Sequence, residues 1–151
     1  MPTIVITDTC CLIVLDNIGA LPLLPIAYAH IVVTPVIAKE FQKALPEWIT
    51  VMPVTDTATA DTYRQLVDAG EASAIALAQE LTDVLLILDD RKGRRLAKQL
   101  HLPFTGTVGM LGVMRERGHI RSLRPYFEAI KETDFRYDHA LLDQILAQFG
   151  D

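Results

Sequence analysis

Residues 84–90 read VLLILDD, five apolar residues followed directly by two aspartates. A short, branched and continuous apolar run is typical of a strand buried on both faces, as in a parallel sheet covered by helices. The run is far shorter than the roughly 20 residues that a membrane-spanning helix needs. The segment therefore predicts a central strand that ends in two carboxylates, Asp89 and Asp90.

Two other segments, residues 4–6 and 31–33, repeat this strand pattern, and residues 102–105 are a candidate fourth strand. The predicted helices are residues 12–18, 21–29, 35–44, 58–68, 70–81, 108–117, 123–132 and 138–149, with one more that begins at Arg91. This alternation predicts an α/β fold in a single domain, residues 1–151. Its central, mostly parallel sheet of about four to five short strands is flanked by helices.

The composition is that of a chain with one core. The chain has 151 residues and 50% hydrophobic content, so it is long enough to bury about two-thirds of its unfolded surface. Because long apolar segments and a basic signal-peptide start are absent from the sequence, we expect a cytoplasmic protein with no membrane association. The adjacent Cys10 and Cys11 have no second pair for a zinc site or a disulfide, and we interpret them as small buried packing residues.

Charge is distributed unevenly along the chain. The net charge is −5, yet residues 91–124 contain nine basic residues and a single acid, a net charge of +8, and the remainder carries −13. Such asymmetry indicates one surface for phosphates and another for something else. Ordinary solvated helix faces are the alternative.

Three acids follow predicted strands: Asp8 ends the first, and Asp89 and Asp90 end the third. Ligands of parallel α/β sheets bind outside the carboxyl ends of the strands, so these acids share one crevice if the two strands are neighbours. Helix N-capping is the alternative for Asp8 and for Asp89. Two adjacent acids exceed what one cap needs, and they repel each other unless a cation or a basic neighbour compensates.

Two glutamates lie on predicted helices. At about 100° per residue, Glu40 falls inside the apolar arc that runs from Val36 to Phe41, so we expect its carboxylate on the buried face. Burial of a carboxylate costs several kcal/mol unless it is paired, hydrogen-bonded, metal-bound or protonated. A structural pair with an arginine is the alternative for Glu40, and stabilisation of the helix dipole is the alternative for Glu71. Oxygen ligands without a Cys/His cluster are typical of Mg²⁺ or Mn²⁺ sites.

Two features are candidate phosphate contacts. Arg91, Arg94 and Arg95 begin the helix directly after the paired aspartates and are predicted to steer a phosphate backbone. Residues 106–109, Gly-Thr-Val-Gly, open another helix, and its N–H groups together with the Thr107 hydroxyl are predicted to bind a phosphate. A simple turn with Thr107 as the N-cap is the alternative.

Five motifs, in this order along the chain, resemble those of the PIN domain family. They are Asp8-Thr9 followed by Leu12-Ile13, Pro35 to Glu40, Gly70-Glu71-Ala72, Asp89-Asp90 with Arg94 and Ala97, and Gly106-Thr107 with Gly109. The resemblance extends over residues 4–149 and is strongest to a bacterial and archaeal group of PIN-like proteins. It implies a three-layer PIN-like fold.

The resemblance also implies a function: a Mg²⁺- or Mn²⁺-dependent ribonuclease that cleaves single-stranded RNA. The family is best known from the toxins of toxin-antitoxin pairs, which often form homodimers and are silenced by a small antitoxin protein. The implied catalytic acids are Asp8, Glu40, Glu71 and Asp90, with Asp89 as a further metal ligand, and the implied substrate contacts are Thr9, Arg91, Arg94, Arg95 and Thr107. Toxin members usually carry Asp at the position of Glu71, and Thr or Ser at the position of Leu88.

Two other classes of function are compatible with the sequence. One is a non-catalytic regulatory or nucleic-acid-binding module that keeps a degenerate metal site. The other is an aspartyl phosphotransfer protein, because paired acids at a strand end also occur in receiver-type folds. The paired acids here follow the third strand instead of the first, and Asp8-Thr9-Cys10 lacks the second Asp of an Asp-x-Asp motif.

Overall fold

The computed structural model describes residues 3–151. The strands are β1 (Ile4–Thr7), β2 (His30–Val33), β3 (Ile49–Val51), β4 (Val84–Ile87) and β5 (Phe104–Thr105). The helices are α1 (Thr9–Asn17), α2 (Leu24–Ala27), α3 (Pro35–Phe41), α4 (Thr57–Tyr63), α5 (Ala69–Glu80), α6 (Arg91–Gln99), α7 (Thr107–Glu116), α8 (Arg124–Lys131) and α9 (His139–Phe149), and a 3-10 turn (Leu21–Leu23) precedes α2. The five strands form one entirely parallel sheet in the order β3-β2-β1-β4-β5. The predicted α/β fold is confirmed.

The pairing of β1 with β4 determines where the strand-end acids lie. β1 occupies the centre of the sheet, and its Thr7 is in register with Ile87 of β4. The pairing continues one residue further, because the Asp8 backbone N–H donates to the Ile87 carbonyl at 3.1 Å. The chain therefore leaves β1 and β4 side by side, and both strand ends deliver acids to the same edge of the sheet.

Helix α5 lies in the core because its side chains are small. Every residue from Gly70 to Ala78 is buried, including the charged Glu71. Alanine at alternate positions lets the helix contact α3, α4 and α6 as well as β1 and β4. This packing carries the first turn of α5, and with it Glu71, to the carboxyl edge of the sheet.

The structure differs from the prediction at one strand and at several helix ends. β3 was missed because it is a three-residue edge strand whose Thr50 and Val51 are exposed, so it lacks a continuous apolar run. The helix predicted over residues 21–29 is split into a 3-10 turn and α2, each with a proline in its first turn. Helix α3 stops at Phe41 because Gln42 adopts a left-handed conformation, with φ of 59°.

No single helix within residues 3–151 has both the length and the apolar character needed to cross a membrane. Thr9–Asn17 and Leu21–Ala27 meet that requirement only as a pair, and a bend of 114° separates them. Leu12, Leu15 and Leu24 of these segments are buried in the core, whereas Ile26 is exposed.

Candidate functional site

A cleft of about 640 Å³ opens at the carboxyl edge of the sheet. The charged residues that line it are seven acids and three arginines: Asp8, Glu40, Asp68, Glu71, Asp89, Asp90 and Asp138, with Arg91, Arg94 and Arg136. All five acids that the sequence singled out lie on this lining. The structure thus brings together the ends of β1 and β4 and the helices α3, α5 and α6.

Asp8 is buried and uses both carboxylate oxygens to order the chain around it. One oxygen accepts from the Cys11 N–H at 2.8 Å and caps α1, and the other accepts from the Asp89 N–H at 3.0 Å. The Asp8 side chain therefore caps α1 and also lies at the strand-end site. Burial, followed by the charge of Asp89, raises the pKa of Asp8 to about 7.

Glu71 is the least satisfied acid of the cleft. Its side chain is buried, and its Oε2 has no hydrogen-bond partner among the described residues. That oxygen points at Gly93 of α6, where a Cβ would collide with it. Burial is the largest cause that raises the pKa of Glu71 to about 9, followed by the neighbouring carboxyl of Asp68 and then by the charges of Asp90 and Asp8.

Glu40 lines the cleft, but the expectation that it is buried was wrong. Its residue is exposed, and so is Val36, which defined one limit of the predicted apolar arc. The buried face of the short α3 is formed by Ile37 and Phe41, which places Glu40 at the margin of that face. The Thr9 hydroxyl donates to its Oε1 at 2.8 Å, so Thr9 positions this acid at the cleft.

The two adjacent aspartates have different surroundings. Asp89 accepts hydrogen bonds from the Thr107 N–H at 2.8 Å, the Thr107 hydroxyl at 2.6 Å and the Tyr137 hydroxyl at 3.1 Å. Asp90 is exposed and caps α6 by accepting from the Lys92 N–H at 3.1 Å, the role that the alternative interpretation had given to Asp89. Asp89 is therefore already engaged by protein donors, and Asp90 is the more accessible carboxylate.

Some of the predicted substrate contacts line the cleft, and others do not. Arg91 and Arg94 line the cleft, and Arg94 is oriented by a 2.7 Å hydrogen bond to the Leu88 carbonyl and by Asp89, 3.8 Å away. Arg95 is exposed outside the lining. Thr107 is fully buried, and in this structure it donates both its N–H and its hydroxyl to Asp89, so neither donor is directed at a phosphate.

Thr107 is also not the N-cap of α7. That position belongs to Gly106, and Thr107 is the first residue of the helix. The hydroxyl therefore points at an acid of the cleft instead of closing the helix end, and its role in the structure is to orient Asp89.

The basic segment over residues 91–124 does not form one phosphate surface. Arg115 pairs with Asp151 at 3.0 Å and lies over the Phe149 ring, and Arg124 donates to the Asp151 backbone oxygen at 2.7 Å. These two arginines fasten the segment after α9 to the rest of the fold. For them the alternative, ordinary structural charge, is the correct interpretation.

Several cleft residues were not identified from the sequence. Asp68 caps α5 by accepting from the Glu71 N–H at 2.9 Å, and the Asp-x-x-Glu spacing of a capping motif was the available signal. Phe135, Arg136, Tyr137 and Asp138 reach the cleft from the loop between α8 and α9. No local pattern marks them, because Tyr137 meets Asp89 across 48 residues of chain.

The donor chemistry of the cleft fits a hard divalent cation. No group of three Asp, Glu, His or Cys side chains within residues 3–151 is arranged as a ready metal-binding set. Mg²⁺, however, often binds through one or two carboxylates and completes its shell with waters and a substrate phosphate. The unpartnered, buried oxygen of Glu71, beside Asp8, Asp68 and Asp90, is where a cation would compensate charge.

Comparison with known proteins gives one positive result. A family model described as a PIN domain matches residues 4–151. No curated protein and no solved structure matches the chain significantly. The family model covers nearly the whole sequence, and the all-parallel sheet flanked by helices is consistent with a PIN-like fold. The chain therefore belongs to the PIN domain family, whose fold is generally that of nucleases.

Proposed function

We propose that this protein is a divalent-metal-dependent endoribonuclease that cleaves phosphodiester bonds of single-stranded RNA. The observation that carries the proposal is the single cleft in which Asp8, Glu40, Glu71 and Asp90 meet Arg91 and Arg94. Acids at a strand edge suit a cation, and arginines beside them suit the phosphate of a polyanion. A cleft with both properties supports phosphodiester hydrolysis better than either property does alone.

The residues that would bind Mg²⁺ or Mn²⁺ are Asp8, Glu71 and Asp90, with Glu40 and Asp89 at the margins. When bound, such a cation neutralises charge on the departing oxygen and orients a water for in-line attack. Arg94 would contact a phosphate oxygen, because the Leu88 carbonyl and Asp89 already fix the direction of its guanidinium. No protein side chain is required as the nucleophile.

Glu71→Gln is the sharpest test of this proposal. The substitution removes the carboxylate that would bind the cation without removing any hydrogen bond that Glu71 Oε2 accepts, because that oxygen has no partner among the described residues. Loss of an outer-shell partner of a metal site costs about 10- to 100-fold in activity, so loss of a ligand should slow Mn²⁺-dependent cleavage of a single-stranded RNA by at least about 100-fold. Glu116→Gln, at an exposed position of α7 outside the cleft, is the matched control and should cleave like the wild type.

Asp8→Asn is a second, less selective test. Both oxygens of Asp8 accept backbone N–H groups, and an amide nitrogen cannot replace one of them, so this variant should lose activity and about 1–3 kcal/mol of stability. Wild-type protein that cleaves no RNA in Mn²⁺ or Mg²⁺, or a folded Glu71→Gln variant that cleaves at the wild-type rate, would contradict the proposal.

A non-catalytic nucleic-acid-binding module is the second candidate, and the surroundings of two acids favour it. Asp8 and Asp89 are occupied by protein donors, and these hydrogen bonds give both acids a structural role that requires no metal. Metal titration separates the two functions. A ribonuclease should show a melting temperature that rises with Mn²⁺ in the wild type and rises less in Glu71→Gln, whereas a module with a degenerate site should show no response in either.

Because toxins are the best-known members of the family, we also propose a cellular role. The protein would be the toxin of a toxin-antitoxin pair, active as a homodimer and neutralised by a small antitoxin protein. Expression of the wild type should then arrest growth of a host cell, and expression of Glu71→Gln at the same level should not. Equal growth of both cultures would contradict the toxin role. A monomeric mass in sedimentation equilibrium would contradict the homodimer.

A further inference from the structure

The cleft has a second wall that hydrolysis alone does not explain. The loop between α8 and α9, with the start of α9, contributes apolar side chains to the lining: Phe135, Tyr137, Leu141 and Leu142. Phe135 and Tyr137 are half-buried, and Leu141 is 49% exposed. Phe135 and Tyr137 pack against the hydrophobic core and also line the cleft, so both aromatic side chains are held in place beside the acids.

Tyr137 is fixed in place at its hydroxyl end. The hydroxyl donates to Asp89 Oδ2 at 3.1 Å, the same oxygen that accepts from the Thr107 hydroxyl at 2.6 Å. A ring anchored in this way loses little further freedom when a ligand packs on it, which lowers the entropic cost of binding. Arg136, between the two aromatic residues in the chain, is exposed and also lines the cleft.

The two walls together match the two halves of a nucleotide. One wall offers carboxylates and arginines, which suit a cation and a phosphate, and the other offers rings on which a flat base can stack. The volume of about 640 Å³ lies within the usual range for sites of small-molecule size. A base inside a duplex has both faces covered, so only an unpaired base can use such a wall.

We propose that Phe135 and Tyr137 form a stacking platform for one unpaired nucleobase beside the phosphate at the acidic wall. This inference rests on the proposed ribonuclease function and deepens it, because the wall that contains Phe135 and Tyr137 would then determine the preference for single strands. The platform recognises a base through its flat face, so it favours no particular sequence.

Abasic oligonucleotides test the platform directly. Labelled single-stranded RNAs and strands of the same lengths in which every position lacks its base are titrated by fluorescence anisotropy, with Ca²⁺ in place of Mg²⁺. Stacking of one base is worth about 5- to 150-fold in affinity, so wild-type protein should bind the intact strand more tightly than the abasic strand.

Three variants separate stacking from the hydrogen bond to Asp89. Tyr137→Leu and Phe135→Leu keep apolar volume without a ring, and each should weaken binding of the intact strand and reduce the difference between intact and abasic strands. Tyr137→Phe keeps the ring and removes the hydroxyl, so it should keep that difference. If Tyr137→Phe loses the difference as completely as Tyr137→Leu does, the ring acts only through Asp89 and the platform is refuted.

The same titrations distinguish failure of the platform from failure of the ribonuclease proposal. Wild-type protein that binds every abasic strand as tightly as the intact one refutes the platform and leaves the ribonuclease proposal standing. Wild-type protein that neither binds nor cleaves any single-stranded RNA refutes both. A duplex of the same sequence that binds as tightly as the single strand also refutes the platform, because its bases cannot reach the wall.

Discussion

Two buried carboxylates in this protein have opposite surroundings. The Asp151 side chain is 5% exposed and accepts from the Arg115 guanidinium and from the Leu123 N–H, and the hydrogen bond from Arg115 is the main reason that its pKa is lowered. Glu71 is 6% exposed, faces other acids, and has a pKa raised to about 9. One carboxylate strengthens the fold, and the other weakens it. The difference teaches that burial alone does not distinguish a structural acid from a candidate functional acid, and that the groups around the carboxylate do.

The largest effect that would sharpen this comparison is expected from Gly93→Ala. A Cβ at position 93 would collide with Glu71 Oε2, so the carboxylate must move. We expect cleavage to fall by about 10- to 100-fold, as it does when a supporting group of a metal site is disturbed. The gain in helix propensity of up to about 1 kcal/mol should partly offset the lost packing in the free energy of unfolding.

Gly112→Ala is the matched control for this substitution. Gly112 also lies within a helix, but a Cβ there meets no atom within 4 Å. This variant should gain helix stability without any change in cleavage rate. Equal cleavage rates for the two alanine variants would show that the position of the Glu71 carboxylate does not matter.

The next effect is the dependence of stability on pH. The pKa of Asp8 rises on folding from 3.8 to about 7 and that of Glu71 from 4.5 to about 9. Between those values the folded state binds more protons than the unfolded state, so the free energy of unfolding falls as pH rises. For metal-free protein we expect a loss on the order of a few kcal/mol from pH 6 to pH 9, measured by urea denaturation.

Variants assign this loss to its source. Glu71→Gln should flatten the part of the curve from about pH 7 to pH 9, because the other carboxyl with a raised pKa, Asp8, titrates near pH 7. Asp151→Asn should leave the slope from pH 6 to pH 9 unchanged, since the stability contributed by a lowered pKa is complete well below pH 6. A wild-type curve without any slope would contradict the raised pKa values.

The smallest effect is a pair of shifts in the melting temperature of metal-free protein at pH 8. Glu71→Gln should raise it, because at pH 8 the wild-type Glu71 must take up a proton to occupy its buried site and a glutamine need not. Asp151→Asn should lower it by a few degrees, because Arg115 then loses its charged partner. The melting temperatures are measured by calorimetry. If both variants shift in the same direction, the two acids do not have opposite effects on stability.

The sequence predicted those parts of the site that depend on local patterns. Asp8 and Asp89 follow continuous apolar runs, and the parallel pairing of β1 with β4 was enough to bring them together. Glu40 was assigned to the wrong face because Val36, which defined one limit of the predicted apolar arc, is exposed. The predicted helix was also three residues too long, since it extended to residue 44. The left-handed turn at Gln42 that ends α3 carries no glycine or proline to signal it.

What the sequence could not predict depends on tertiary contacts. Nothing near Tyr137 indicates that its hydroxyl meets Asp89, and nothing near Thr107 distinguishes an N-cap from a donor to that same acid. β3 was missed for a related reason, because an edge strand with exposed residues is defined by its partner β2 and not by its own composition. Local sequence patterns therefore predict one part of the site, and tertiary packing determines the other part.

Phe135 and Tyr137, on the second wall of the cleft, lie far along the chain from Asp8, and this separation has a consequence for protein synthesis. Asp8 leaves the ribosome well before Phe135 and Tyr137 do. The acids and the wall cannot face each other until the chain between them has emerged. A nascent copy therefore has no finished cleft until that point in its synthesis.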